Sequence, residues 1–112
     1  MYLQRDVILV QFPFTDLEGS KLRPALVISS ANVNALHDLV CVQITSKLFN
    51  DEFFLPIIDD DLTSPLKLKS GIRLHKIFTV NEQIILRKIS SFNSIAFDRV
   101  ITQLSGQVLK KD

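Results

Sequence analysis

LEGSKLRPALVIS, residues Leu17 to Ser29, joins a polar, glycine-bearing loop to an apolar run and sets Arg23-Pro24 at the joint. The proline decides how the run is read. A strand tolerates proline at its first residue, and the segment PALVISS, Pro24 to Ser30, is otherwise apolar and rich in β-formers. An arginine held between a loop and a rigid strand is well placed to hold a carboxylate or a phosphate, because its planar fork matches both. From spacing alone, a rim salt bridge with Asp16 or Glu18 explains Arg23 equally well.

Outward from this stretch the chain repeats the same pattern. VILVQF (Val7 to Phe12) is apolar and stops at Pro13, and LVCVQIT (Leu39 to Thr45) is a third strand. FFLPII (Phe53 to Ile58) is interrupted by Pro56, which assigns it to an edge or a bulge, and QIILRKI (Gln83 to Ile89) is the last strand. Between them LKLKSGIRLHK (Leu66 to Lys76) alternates, with Leu66, Leu68, Ile72 and Leu74 on one face and Lys67, Lys69, Arg73 and His75 on the other. That pattern predicts a half-buried strand with a basic outer face. SIAFDRVITQLSGQVL then spaces Phe97, Val100, Ile101, Leu104 and Val108 as on one helix face, with Asn93 or Ser94 as N-cap and Gly106 weakening the end.

VILV and ALVI are apolar on both faces, yet one helix covers only part of one sheet. Either the sheet closes into a small barrel or a second subunit covers it. The connections are too short for parallel crossovers, so the fold class is mainly β: a strongly bent antiparallel sheet or small barrel followed by a C-terminal α-helix. Residues 1–112 form one domain, and a homodimer is also expected.

Apolar residues make up 46% of the chain and charged residues 22%, far from the signature of disorder. Thirteen Lys and Arg against twelve Asp and Glu leave a net charge of +1, which argues against nonspecific duplex binding driven by bulk charge. Cys41 is the only cysteine, so there is neither an internal disulfide nor a thiolate-rich zinc site, and Cys41 reads as a small core residue. The N-terminal MYLQRDVILVQF has too short an apolar run for a signal peptide or a membrane span, and a cytoplasmic protein is expected. No cofactor motif is present, and Asp59-Asp60-Asp61 reads as a solvated turn rather than a cation site.

The two histidines, His37 and His75, are the residue type that an RNA-cleaving acid/base pair would use. His37 lies in a polar connection where a surface histidine needs no explanation, and His75 is better placed to touch a phosphate than to shuttle protons. Thr45-Ser46 ends the third strand with two hydroxyls, with Lys47 just beyond. Lys67, Lys69 and Arg73 form the local basic patch, read either as a solvated face or as RNA contact. Phe12, Phe14, Phe53 and Phe54 could stack unpaired bases, although phenylalanines are more often core.

Taken together, DVILVQFPFTDLEGSKLRPALVIS, VCVQITSK and SGIRLHKIFTVNEQIILRKI resemble the MazF/PemK family of toxins from bacterial toxin-antitoxin systems. The resemblance runs from Asp6 through the C-terminal helix, carried by the Phe-Pro-Phe-Thr-Asp turn, the Arg-Pro-Ala-Leu-Val strand and Thr45-Ser46 in this order. It implies an SH3-like barrel, usually homodimeric, that cuts single-stranded RNA at short motifs without a metal and is blocked by a cognate antitoxin. It also implies that Arg23 and Thr45 form the active pair; beside them, Ser46, Lys47, Lys21, Lys67, Lys69, Arg73 and His75 are the substrate contacts expected from the strand end and the basic residues themselves. Two positions depart from the family pattern: Arg5 stands where a glycine is usual, and His75 where an acidic residue is common. Same-fold toxins that bind DNA gyrase, and non-catalytic members that only bind antitoxin or RNA, are the alternative readings.

Overall fold

The computed structural model describes residues 1–12 and 21–112, with Phe12 and Lys21 described by their backbone alone. The Pro13–Ser20 stretch, which holds Phe14, Asp16, Glu18 and Gly19, therefore lies outside the described residues, as does the Lys21 side chain. Among the described residues, six strands form one antiparallel sheet: β1 (Asp6–Phe12), β2 (Lys21–Val27), β3 (Asp38–Thr45), β4 (Phe54–Pro56), β5 (Gly71–Asn81) and β6 (Ile85–Ser91). Their order across the sheet is β4-β5-β3-β2-β1-β6. A short helix α1 (Ala31–Asn34) links β2 to β3, and α2 (Ser94–Gln103) follows β6.

The sheet bends because its ladders slip. β1 shifts register twice against β6, and at Val42/Gln43 of β3 the partner on β5 jumps from Ile77 to Arg73. Extra residues on one strand of a pair curl it and raise its twist, which is how a flat sheet becomes barrel-like. The bend creates two cores. Val7, Leu26, Val42, Ile44, Ile72 and Leu74 pack on one face with Phe97, Val100 and Leu104. Ile8, Val10, Ala25, Val27, Leu39, Cys41, Val80 and Ile85 form the other. The doubly apolar strands are thus covered on both faces within one chain, by the bend of the sheet and by α2, and their pattern makes no demand on a second subunit.

α2 begins where expected: Asn93 Oδ1 accepts from Ala96 N–H at 2.8 Å. It is shorter than its periodicity, because a π-turn over Leu104–Val108 takes up the segment around Gly106, and Ile101 stays exposed while Ala96, Phe97 and Val100 are buried. β4 is an edge strand, in keeping with Pro56. Cys41 is fully buried, and burial pushes its thiol up to about 12, which makes it an inert filler.

Two expectations about strands and one about the acidic run need correction. β2 starts at Lys21, so Pro24 is an interior residue opposite Leu9 rather than the first. The alternating segment from Leu66 is not strand until Gly71; residues 66–70 form a loop in which Leu68 is 65% exposed. The acidic run is a 3-10 turn whose first two carboxylates are exposed, while Asp61 is buried, accepting from Ile58 N–H at 3.0 Å and from Arg99 Nη1 at 3.3 Å.

Arg5 enters β1 with φ of 82°, in the left-handed region that favours glycine. Its backbone is pinned on both sides, with its N–H on Val27 O at 2.9 Å and its carbonyl accepting from Phe92 N–H at 2.8 Å. The departure from the family pattern therefore falls on a turn. Arg5→Gly is expected to stabilise the protein by about 0.5–1 kcal/mol, the relief of left-handed strain less the added chain entropy. The midpoint of urea unfolding should rise; a fall would mean that the arginine side chain contributes more than its backbone costs.

Candidate active site

The β2–β3 ladder runs through Val27–Cys41, Leu26–Val42 and Ala25–Gln43 and ends there. The next residue on β2 is Pro24, which has no N–H to offer a ladder. Continued by two residues, the same register sets Arg23 opposite Thr45. The strands part at that point and leave a cleft of about 360 Å³ whose lining includes Arg23, Thr45, Ser46, Lys67 and Ser70 beside Leu9, Pro24, Leu66 and Leu68. Residues 66–70, misread as strand, thus form one wall of the cleft and deliver Lys67 to it.

Inside the cleft Arg23 is half-buried and Thr45 is buried. Thr45 Oγ1 accepts from Lys47 N–H at 3.1 Å, which leaves its hydroxyl proton to be given to a ligand. Ser70 is already used, donating to Leu68 O at 2.8 Å. Among the described residues lining the cleft there is neither a carboxylate nor an imidazole; the polar lining consists of cations and hydroxyls, a set suited to an anion. No group of three potential metal ligands occurs among the described residues, and none of the described helices is long and apolar enough to cross a membrane.

Arg23, Thr45, Ser46 and Lys67 are therefore brought together, while the other basic candidates lie apart. Lys69 lines a neighbouring cavity of about 280 Å³ with Ile57, Asp59 and Leu62. Lys47 turns its Nζ over the Phe49 ring, 5.1 Å from the centroid. Arg73, expected on a solvated face, is 9% exposed and grips Asp51 through both nitrogens at 2.8 and 2.9 Å. Asp51 and the Phe49 ring, both from the stretch between β3 and β4, cover the guanidinium. His75 is exposed and meets the Phe53 ring edge-on at 5.4 Å. The histidines do not form a pair: His37 sits in a left-handed turn with its Nδ1 2.9 Å from Glu82, away from the Arg23 cleft.

Sequence reasoning missed Asp51 and Phe49. The Arg73 guanidinium beside Asp51 holds its carboxyl below the usual carboxylate range. A depressed folded pKa means that the pair's stabilisation is present above the unfolded carboxyl value, ~4, and is lost only as pH falls through the lower folded value. Mild acid leaves the pair closed.

The model of the PemK-like, MazF-like toxins of type II toxin-antitoxin systems matches residues 3–108. Among solved structures, an endoribonuclease in complex with its cognate antitoxin from a mycobacterial species superposes with a TM-score of 0.78 at 17% identity, over 100% of this chain and 99% of that one. A MazE-MazF structure from Deinococcus radiodurans gives 0.78 at 15% identity, covering 98% and 97%. The Mycobacterium tuberculosis toxin MazF-mt6 gives 0.74 at 16% identity, covering 96% and 99%. At such identities the superpositions show the fold. No curated protein matches the chain by sequence.

Proposed function

Because the chain belongs to the PemK-like, MazF-like toxins of type II toxin-antitoxin systems, we propose that it is a metal-independent endoribonuclease that cuts single-stranded RNA at a short motif. The observation that carries this reading is the cleft at the β2–β3 fork, where Arg23 and Thr45 meet with Ser46 and Lys67.

The reaction is attack of a ribose 2′-hydroxyl on the adjacent phosphate, with loss of the 5′-oxygen to give a 2′,3′-cyclic phosphate and a 5′-hydroxyl. Its barrier is the extra negative charge on a five-coordinate phosphorus, and preorganised donors in a partly dry cleft lower it. Arg23 supplies a forked, permanently charged donor, and Thr45 a hydroxyl. Arginine stays protonated at neutral pH, so Arg23 stabilises charge and hydrogen-bonds the leaving oxygen, but it does not accept a proton. The described lining residues include neither a carboxylate nor an imidazole to take the 2′-hydroxyl proton. Ser46 and Lys67 hold flanking phosphates, and Lys69 lies one cavity further along the groove. Arg73 has no place in this contact set, since its guanidinium is spent on Asp51.

The reading extends to a homodimer covered by a cognate antitoxin. Exposed Leu22 and Leu68 at the cleft give such a partner apolar surface, and solved relatives are complexes with their antitoxins. The direct test is incubation of the purified protein with a long single-stranded RNA in EDTA, with mapping of the cut ends. Cuts at a repeated motif bearing cyclic phosphate ends are expected. RNA left intact across several unrelated transcripts would overturn the nuclease reading and favour a toxin that acts by binding a protein.

A further inference from the structure

The loop between β3 and β4, residues 46–53, leaves the sheet at Thr45 and returns at Phe54, with Ser46, Lys47 and Leu48 exposed. It has no regular structure, yet it is fastened from below. Asp51 Oδ1 and Oδ2 accept from Arg73 Nη1 and Nη2, and Oδ1 also accepts from Phe53 N–H at 3.0 Å. The Arg73 guanidinium lies 3.7 Å from the centre of the Phe49 ring, and Phe49 in turn lies 6.1 Å from Phe54. Arg73 is rooted at a fixed place, opposite Gln43 on β3 and Phe54 on β4, two residues along β3 from Thr45. A bidentate ion pair roofed by an aromatic ring holds both partners in one geometry, because the fork and the stacking constrain the same plane.

The other end of the loop touches the cleft. Lys47 N–H donates to Thr45 Oγ1, and occupying that oxygen restricts where the Thr45 hydroxyl can point its own proton. Without the loop's anchor, Lys47 N–H would be free to bond water instead.

We infer that Arg73, Asp51 and Phe49 form a clamp that orients the Thr45 hydroxyl, by holding the loop so that Lys47 N–H stays on Thr45 Oγ1. These three are positioning residues: they act through Lys47 and do not meet RNA. The inference rests on the proposal that Thr45 is part of the active pair. It also gives Arg73 a role different from the substrate contact that the basic pattern of its strand implied.

The test is a double-mutant cycle. Asp51→Asn keeps the shape of the side chain and removes the charge that pairs Arg73; it should lower kcat for RNA cleavage about tenfold, with a smaller change in KM. In a Thr45→Val background the same substitution should leave the residual kcat within twofold, because the hydroxyl it orients is gone. An equal loss in both backgrounds would overturn the clamp. A second readout needs no RNA: amide hydrogen exchange at Lys47 should quicken about tenfold in Asp51→Asn and in Phe49→Leu, while Val42 and Ile72 keep their protection. Unchanged exchange at Lys47 would overturn the clamp even in an active enzyme. If the wild-type protein cuts no RNA, the nuclease proposal fails by itself, and the exchange experiment still decides whether the loop is clamped to Thr45.

Discussion

Arg23→Ala is expected to cut RNA at least ~10³-fold more slowly than the wild-type protein while unfolding within a few degrees of it. The loss should be large because the nuclease proposal assigns Arg23 as the permanently charged donor where charge builds up, and alanine leaves water as its substitute. The fold should persist because the arginine is half-buried in the lining of the cleft, outside both cores. Arg23→Lys should recover little, since an ammonium keeps the charge but loses the fork that meets two phosphoryl oxygens at once. Thr45→Ala removes one neutral donor and should cost roughly 10²–10³ in kcat, the usual size for one hydrogen bond to a developing oxyanion. Single-turnover cleavage of one short RNA measures all three. Unchanged cleavage by Arg23→Ala would sink the assignment of the cleft.

The same cleft marks how far the sequence could be read. The strands announced themselves through β-branched apolar runs, and the two-faced character of VILV and ALVI foretold a sheet covered on both sides, which the bent barrel supplies. Local pattern misled where tertiary contacts decide the backbone. Leu66 to Lys69 alternate like a strand, but the chain just before them is tied to the end of β6, by a bridge from Leu62 to Phe92 and by Thr63 N–H on Ser91 O at 2.9 Å. That tether makes the segment a loop and turns Lys67 toward the cleft. Arg73 was misread for a related reason: alternation places it on an outer face, but the β3–β4 loop, which has no pattern of its own, folds over that face. Its partner Asp51 stands 22 residues earlier, a separation at which no periodicity operates. The pairing of Arg23 with Thr45 was equally nonlocal, and the family resemblance supplied it before any register was known.

Gly71→Ala is expected to lower the melting temperature by roughly 10 °C, and the reason is space rather than backbone freedom. Gly71 opens β5 opposite Thr45 on one side and Pro56 on the other. A Cβ built there would lie 2.2 and 2.5 Å from Cζ and Cε1 of Phe54 and 2.9 Å from the carbonyl oxygen of Leu55. The ring can swing, but the carbonyl belongs to β4, whose Leu55 is paired with Ile72, so the edge strand must move as well. Overpacking of this kind costs about 1–3 kcal/mol, and a domain of about this size loses several degrees of melting temperature per kcal/mol. Displacing the Phe54 ring also disturbs Phe49, 6.1 Å away, and with it the cover over Arg73. Cleavage should therefore fall together with stability in this variant, whereas Arg23→Ala separates the two. A Gly71→Ala, Phe54→Leu double variant removes the ring atoms that the new methyl would strike, though not the Leu55 carbonyl, and should be more stable than the sum of its single changes predicts. Calorimetry on the four proteins gives the answer directly: additive losses would show that the glycine is not held by Phe54, and a single Gly71→Ala that melts with the wild type would show that β4 yields without cost.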